Sequence, residues 1–150
     1  MTLDPFMEAA IQEAKLGLTA GGIPIGSAVV KDGIIVGRGH NLRVQRSSAI
    51  LHAEMSALES LGRQPAMFYQ QVTLYTTLSP CSMCTGAILL YKIPHVVIGE
   101  NRTFMGEEAL LKAHGVKVTV LDHPTCYQMM QAFIQTTPQL WHEDIGVEQP

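Results

Sequence analysis

Residues 73–84 read TLYTTLSPCSMC. Val72 to Tyr75 is β-prone and predicts a strand, and Thr76 to Ser79 carries the chain out of the sheet. Ser79 and Pro80 supply a capping hydroxyl and a first-position proline, which predicts a helix over Cys81 to Tyr91. A strand feeding a helix in this way puts the chain among α/β folds. On that helix Cys81 and Cys84, three residues apart, share a face. The positive end of the helix lowers thiol pKa and helps hold both sulfurs as thiolates.

Upstream stands His52-Ala53-Glu54. One imidazole and two thiolates form a ligand set suited to tetrahedral zinc with the fourth corner open, and a water held at such a corner falls to a pKa of roughly 7. His52 and Glu54 are two apart, a spacing that does not share a helix face. His52 is therefore expected at the very start of its helix, reaching the metal, with Glu54 in the first turn reaching the water as proton carrier. A redox CxxC pair would leave His52-Ala53-Glu54 unexplained. A structural zinc would want a fourth Cys or His nearby, and the third cysteine, Cys126, stands far off in a helix-like stretch that reads as a buried, inert position.

The chain has 150 residues, 47% hydrophobic and 15% charged, enough for one domain with a real core. A net charge of −3, with no run of Lys or Arg, argues against a protein held to nucleic acid by phosphate contacts. The expected partner is a small neutral molecule. No apolar run reaches the roughly 18 residues of a membrane span, and Asp4 and Glu8 do not fit a secretory leader. With two of three cysteines committed to metal, a reducing cytoplasm is the expected compartment. A chain this low in charge and slightly apolar on average also predicts some surface covered by another subunit.

In order, Asp4-Pro5 opens a helix with a Met7, Ile11, Ala14, Leu18 stripe, ended by Gly21-Gly22. A strand over Ala28 to Val30 turns at Lys31-Asp32-Gly33 and returns over Ile34 to Gly37. His40 reads as structural, and Arg43 and Arg46 as solvated or loop positions. The amide of Asn41 would match a pyrimidine edge, and equally reads as a turn former. A helix over His52 to Leu61 and the Val72 strand follow. After the cysteine helix come a strand over Val96 to Gly99, a helix over Glu107 to His114, a strand over Val116 to Leu121 and a helix over Pro124 to Gln135. This order predicts a three-layer α/β/α sandwich on a mixed sheet of about five strands. The tail, residues 138–150, holds the single Trp141; it reads either as an ordinary docked terminus or as a cover folded over the active site.

H-x-E followed by P-C-x-x-C is the known signature of zinc-dependent nucleobase deaminases. Gly21–Gly26, Gly37–Asn41, Leu51–Glu54, Thr73–Ala87, Val97–Asn101 and the tail Trp141–Gly146 together resemble the fungal-type cytosine deaminases of the cytidine deaminase superfamily. The resemblance covers nearly the whole chain. It implies a cytidine deaminase-like fold, a homodimer, one catalytic zinc per subunit, and conversion of cytosine to uracil and ammonia. Carried onto this sequence, it implies His52, Cys81 and Cys84 as zinc ligands and Glu54 as proton shuttle. Asn41 would read the ring carbonyl and Asp144 would accept from the base. Phe104, Trp141 and Ile25 would wall the site, and the backbone at Leu78 and Ser79 would face the amine. His142 departs from the family, which has an aromatic residue there. A titratable group at that position keeps isocytosine, guanine and other small amino-heterocycles in play as substrates.

A transfer-RNA adenosine deaminase shares the PCxMC pattern but would need a basic surface to hold RNA. A zinc-stabilised binding or dimerisation module without turnover is the reading from another class. Glu54 beside an incomplete ligand set weighs against it.

Overall fold

The structure is a computed structural model and describes residues 4–148. Residues 1–3 and 149–150, the two ends of the expected 1–150 unit and its 138–150 tail, lie outside the described residues. Helix α1 (Pro5–Thr19) is capped by Asp4, whose Oδ1 accepts from the Phe6 and Met7 amides at 3.0 and 3.2 Å. Such a cap contributes about 1 kcal/mol. Met7, Ile11 and Ala14 of the expected stripe are buried, whereas Leu18 in the last turn is exposed.

Strands β1 (Gly26–Lys31) and β2 (Ile34–His40) form the expected hairpin. Its two loop residues, Asp32 and Gly33, both have positive φ, +53° and +74°, the tight turn that matches strand twist. Then come α2 (Ala53–Ser60), a short α3 (Ala66–Tyr69), β3 (Val72–Leu78), α4 (Ser82–Leu90), β4 (His95–Glu100), α5 (Glu108–Ala113), β5 (Lys117–Val120), α6 (Pro124–Thr136) and α7 (Pro138–Asp144).

The five strands lie in the order β2-β1-β3-β4-β5. β1 is antiparallel to both neighbours, and β3, β4 and β5 run parallel. Alternate side chains build the two outer layers. Val96 and Ile98 of β4, with Val72 and Leu74 of β3, pack on one face against Ala57 of α2, Ile88 of α4 and Leu111 of α5. Val97 points the other way, to Met7 and Ile11 of α1 and Cys126 of α6. The result is the mixed-sheet α/β fold that the order of elements predicts.

Two local expectations change. β3 does not stop at Tyr75: Thr76 pairs with Ser27 and Ile98, and Leu78 with Glu100, so residues 76–78 belong to the sheet. The cysteine helix starts later than expected, with Cys81 itself at the N-cap. Ser79 is not the cap; its hydroxyl donates to Glu108 Oε2 at 2.6 Å.

Four strands run in one direction, so the ends of β2, β3 and β4 and the start of β1 meet at one edge of the sheet. In open α/β sheets this is the edge where ligands bind. Gly39 lets α2 lie against β2 there, since a side chain on it would press on Ser56 Oγ and the Ala57 amide. Over the same edge sits a second apolar cluster, in which Trp141 of α7 packs with Ile23, Ile25, Leu78 and Phe133. Among the described residues no helix is long and apolar enough to cross a membrane.

Candidate metal centre and active site

Two helix N-termini meet at this edge. His52 is the N-cap of α2 (φ −64°, ψ 167°) and Cys81 the N-cap of α4 (φ −69°, ψ 177°). Neither side chain caps its own helix, which leaves both for another partner. Cys84, one turn into α4, is fully buried. The three ligand atoms lie within 4.8 Å of one another, with Cys81 Sγ 3.4 Å from His52 Nδ1. Tetrahedral zinc sets its sulfur and nitrogen donors roughly 3.5–3.8 Å apart. Spacing and donor chemistry therefore both fit zinc, and His52, Cys81 and Cys84 are positioned to hold it.

Proton sharing within the trio points the same way. Cys81 is pulled down to about 4, first by its hydrogen bond with the Cys84 thiol and then by His52, against burial. The same bond, with burial, pushes Cys84 well above the usual thiol range. The pair thus holds one proton between two sulfurs, and a cation in the site takes that proton's place. Burial on its own lowers His52. The bond to Cys81 and the charges of Asp144, Glu54 and Cys81 outweigh it and raise the imidazole to about 9.

Glu54 sits in the first turn of α2, 4% exposed. Burial pushes it up to about 7, with His52 opposing. A carboxyl poised there can both take and give a proton at neutral pH.

Asp144, the last residue of α7, is buried as well. Its Oδ1 accepts from Asn41 Nδ2 at 2.8 Å and lies 3.3 Å from His52 Nε2 and 3.6 Å from Arg43 Nε. Burial raises its pKa, and His52, Asn41 and Arg43 hold it back.

A cavity lies against this group. Its empty space, with the open solvent at its mouth included, is ≈ 290 Å³. The sequence-predicted residues Ile25, Leu78, Ser79, Phe104, Trp141 and Asp144 line it, together with His52, Glu54 and Cys81. Phe104 and Trp141 meet edge to face, 6.0 Å between centroids at 83°.

Two predicted residues stand elsewhere. Asn41 is fully buried behind Asp144 and is absent from the cavity wall. Its Nδ2 donates to Asp144 and its Oδ1 accepts from the Arg43 amide at 3.0 Å, a turn-forming contact that leaves one N–H and one lone pair of the amide over. His142 faces Gln139, Glu143, Val147 and Glu148 on the outer side of α7, with Nδ1 buried and without a hydrogen-bond partner. Consecutive helical residues point about 100° apart, so a helix that sends Trp141 inward turns His142 away.

The sequence reading passed over three positions. Arg43, read as a solvated or loop position, stands in the loop before α2 and ties it to α7: Nη1 donates to Ala49 O and Nη2 to Glu143 Oε1, both at 3.0 Å. Glu108 accepts from Ser79 Oγ and, at 3.2 Å, from Asn101 Nδ2. The Gly106 amide donates to Ser79 Oγ at 2.9 Å, and a side chain on Gly106 would collide with the Pro80 carbonyl. Together Glu108 and Gly106 seat the loop that carries Phe104. Their partners lie far off in the chain, and no local pattern marks them.

The profile of the family described as "Cytidine and deoxycytidylate deaminase zinc-binding region" matches residues 1–100. A cytosine deaminase of Candida albicans is 53% identical over 141 residues, covering 93% of this chain and 94% of its own length. A tRNA-specific adenosine deaminase of Streptococcus pyogenes is 41% identical over 140 residues, covering 87% of this chain and 88% of its own. Among solved structures, a guanine deaminase from Nitrosomonas europaea superposes with a TM-score of 0.71 at 21% identity. It covers 89% of this chain and 86% of that one, a likeness of fold.

Proposed function

The chain belongs to the cytidine and deoxycytidylate deaminase family, and from that premise we propose that it hydrolyses a free pyrimidine base, cytosine, to uracil and ammonia. The observation that carries the reading is Glu54, His52 and Cys81 on one cavity, with the third ligand, Cys84, buried within 4.8 Å of the other two ligand atoms. The similarity to the Candida cytosine deaminase over nearly the whole chain supports the choice of base.

His52, Cys81 and Cys84 would hold the zinc, which would supply a Lewis acid that makes water nucleophilic near neutral pH. Glu54 takes the proton of the attacking water and gives it to the ring nitrogen next to the amine-bearing carbon. Once the C–O bond has formed, Glu54 takes the proton of the new hydroxyl and passes it to the amine. The C–N bond breaks as the carbonyl forms, and the balance is cytosine plus water to uracil plus ammonia. Phe104 and Trp141, in edge-to-face contact, wall the ring. Asp144 accepts from the base, and the Leu78 and Ser79 backbone faces the amine. α7 serves as the cover and leaves no room for a ribose. We read the protein as a homodimer in the cytoplasm; its exposed Leu90 and Ile50 and its three unbridged cysteines support those two points.

The transfer-RNA reading has a 41% identical relative behind it, but the balance of 10 Lys and Arg against 13 Asp and Glu counts against it. Ammonia release decides the matter: turnover of cytosine is expected, with none from cytidine or tRNA. Zinc-loaded protein inert on cytosine would overturn the proposal. Glu54→Gln should keep its zinc, measured by metal content, and lose about 10²–10⁴-fold in rate. A near-normal rate in that variant removes Glu54 from the mechanism.

A further inference from the structure

We propose that α7 completes the metal centre: Asp144 is the carboxylate that fixes the ring of His52 so that its Nδ1 faces the two cysteine sulfurs. Cys81 Sγ lies 3.4 Å from Nδ1, and Asp144 Oδ1 lies 3.3 Å from Nε2, on the opposite side of the ring. A neutral imidazole carries one proton. An acceptor on the Nε2 side keeps that proton there and turns the Nδ1 lone pair toward the thiols, the arrangement a metal-ligating histidine needs.

The carboxylate oxygen is itself held. The same Oδ1 accepts from Asn41 Nδ2 at 2.8 Å and has Arg43 Nε 3.6 Å away, while Arg43 also grips Glu143 next door. Asn41 and Arg43 precede His52 on the loop leading into α2, and Asp144 arrives from the far end of the fold. Asp144 is thus a positioning residue for the metal as well as a wall of the cavity. Closure of α7 and metal retention are then one equilibrium, and each strengthens the other by the same factor.

This inference rests on the zinc reading above, and the test separates the two. Zinc affinity is measured by competition with a chromophoric chelator for the wild type, Asp144→Ala and Asp144→Asn. The alanine variant should bind zinc about 10–100-fold more weakly. The asparagine variant, which keeps an acceptor oxygen, should recover most of that loss. An alanine variant that binds as tightly as wild type overturns the proposal, and a wild type that binds no zinc overturns the zinc reading instead. If Asp144→Ala does not fold, ¹⁵N-histidine spectra of the zinc-loaded wild type decide. His52 should show a protonated Nε2 and a metal-shifted Nδ1, and the reverse assignment sinks the idea.

Discussion

Cys126 shows what burial alone does to a thiol in this fold. It is 1% exposed against α1, and burial, with Glu100 and Glu8 adding, pushes it up to about 12. At pH 8 it stays protonated and shielded, so thiol reagents should label it only on unfolding, as peptide mapping can check. In the unfolded chain the same thiol ionises near 8.5. Above about pH 9 the unfolded state therefore binds fewer protons, and this group subtracts up to about 1.4 kcal/mol of stability per pH unit until the native thiol titrates. Urea unfolding across that range should show the decline, reduced in Cys126→Ala. The buried reading of Cys126 was legible because it stands in a helix-like stretch far from the ligand trio, where a free cysteine behaves as a small buried hydrophobe. So was the ligand trio, because two of its members sit three residues apart and its chemistry names a metal. Arg43 and Glu108 were not legible, since what makes them matter is a carboxylate or hydroxyl brought near only by the finished fold.

Among the elements, those with a strong period and a marked start were read closely. α1, with Asp4-Pro5 before it, and the Asp32-Gly33 hairpin are cases in point. β3 was cut short because Thr76 and Thr77 look like a loop, while pairing with β1 and β4 makes them strand. α3 is four residues long and too short for any period. α7 reads as a tail in the sequence although Pro138 stands at its first turn, because a seven-residue helix is stabilised by what it docks on and not by its own propensity. That docking rests on Trp141, 6% exposed and against Phe104. Trp141→Ala should remove about 3 kcal/mol of local stability. Hydrogen exchange over residues 138–146 should then speed up by roughly a hundredfold. Unchanged exchange would mean that α7 is held by its polar contacts alone.

At the scale of the whole molecule, one face exposes large apolar side chains. Ile50 (57% exposed), Leu90 (70%) and Tyr91 (42%) project beside a groove lined by Met55, Leu58 and Tyr69. A second copy seated there would cover them, and a stable pair needs about 1,200 Å² or more of buried surface. Sedimentation at micromolar concentration should show a dimer for the wild type and a monomer for Leu90→Asp. A wild-type monomer would leave this face without an occupant.

The order of the chain bears on how the centre is built in the cell. His52, Cys81 and Cys84 all leave the ribosome before α7, with roughly 50 residues between the last of them and Pro138. At about 5–20 residues per second, the nascent chain spends several seconds with its trio translated and α7 still unmade. An ion can therefore meet its three ligands during synthesis, before Asp144 reaches His52.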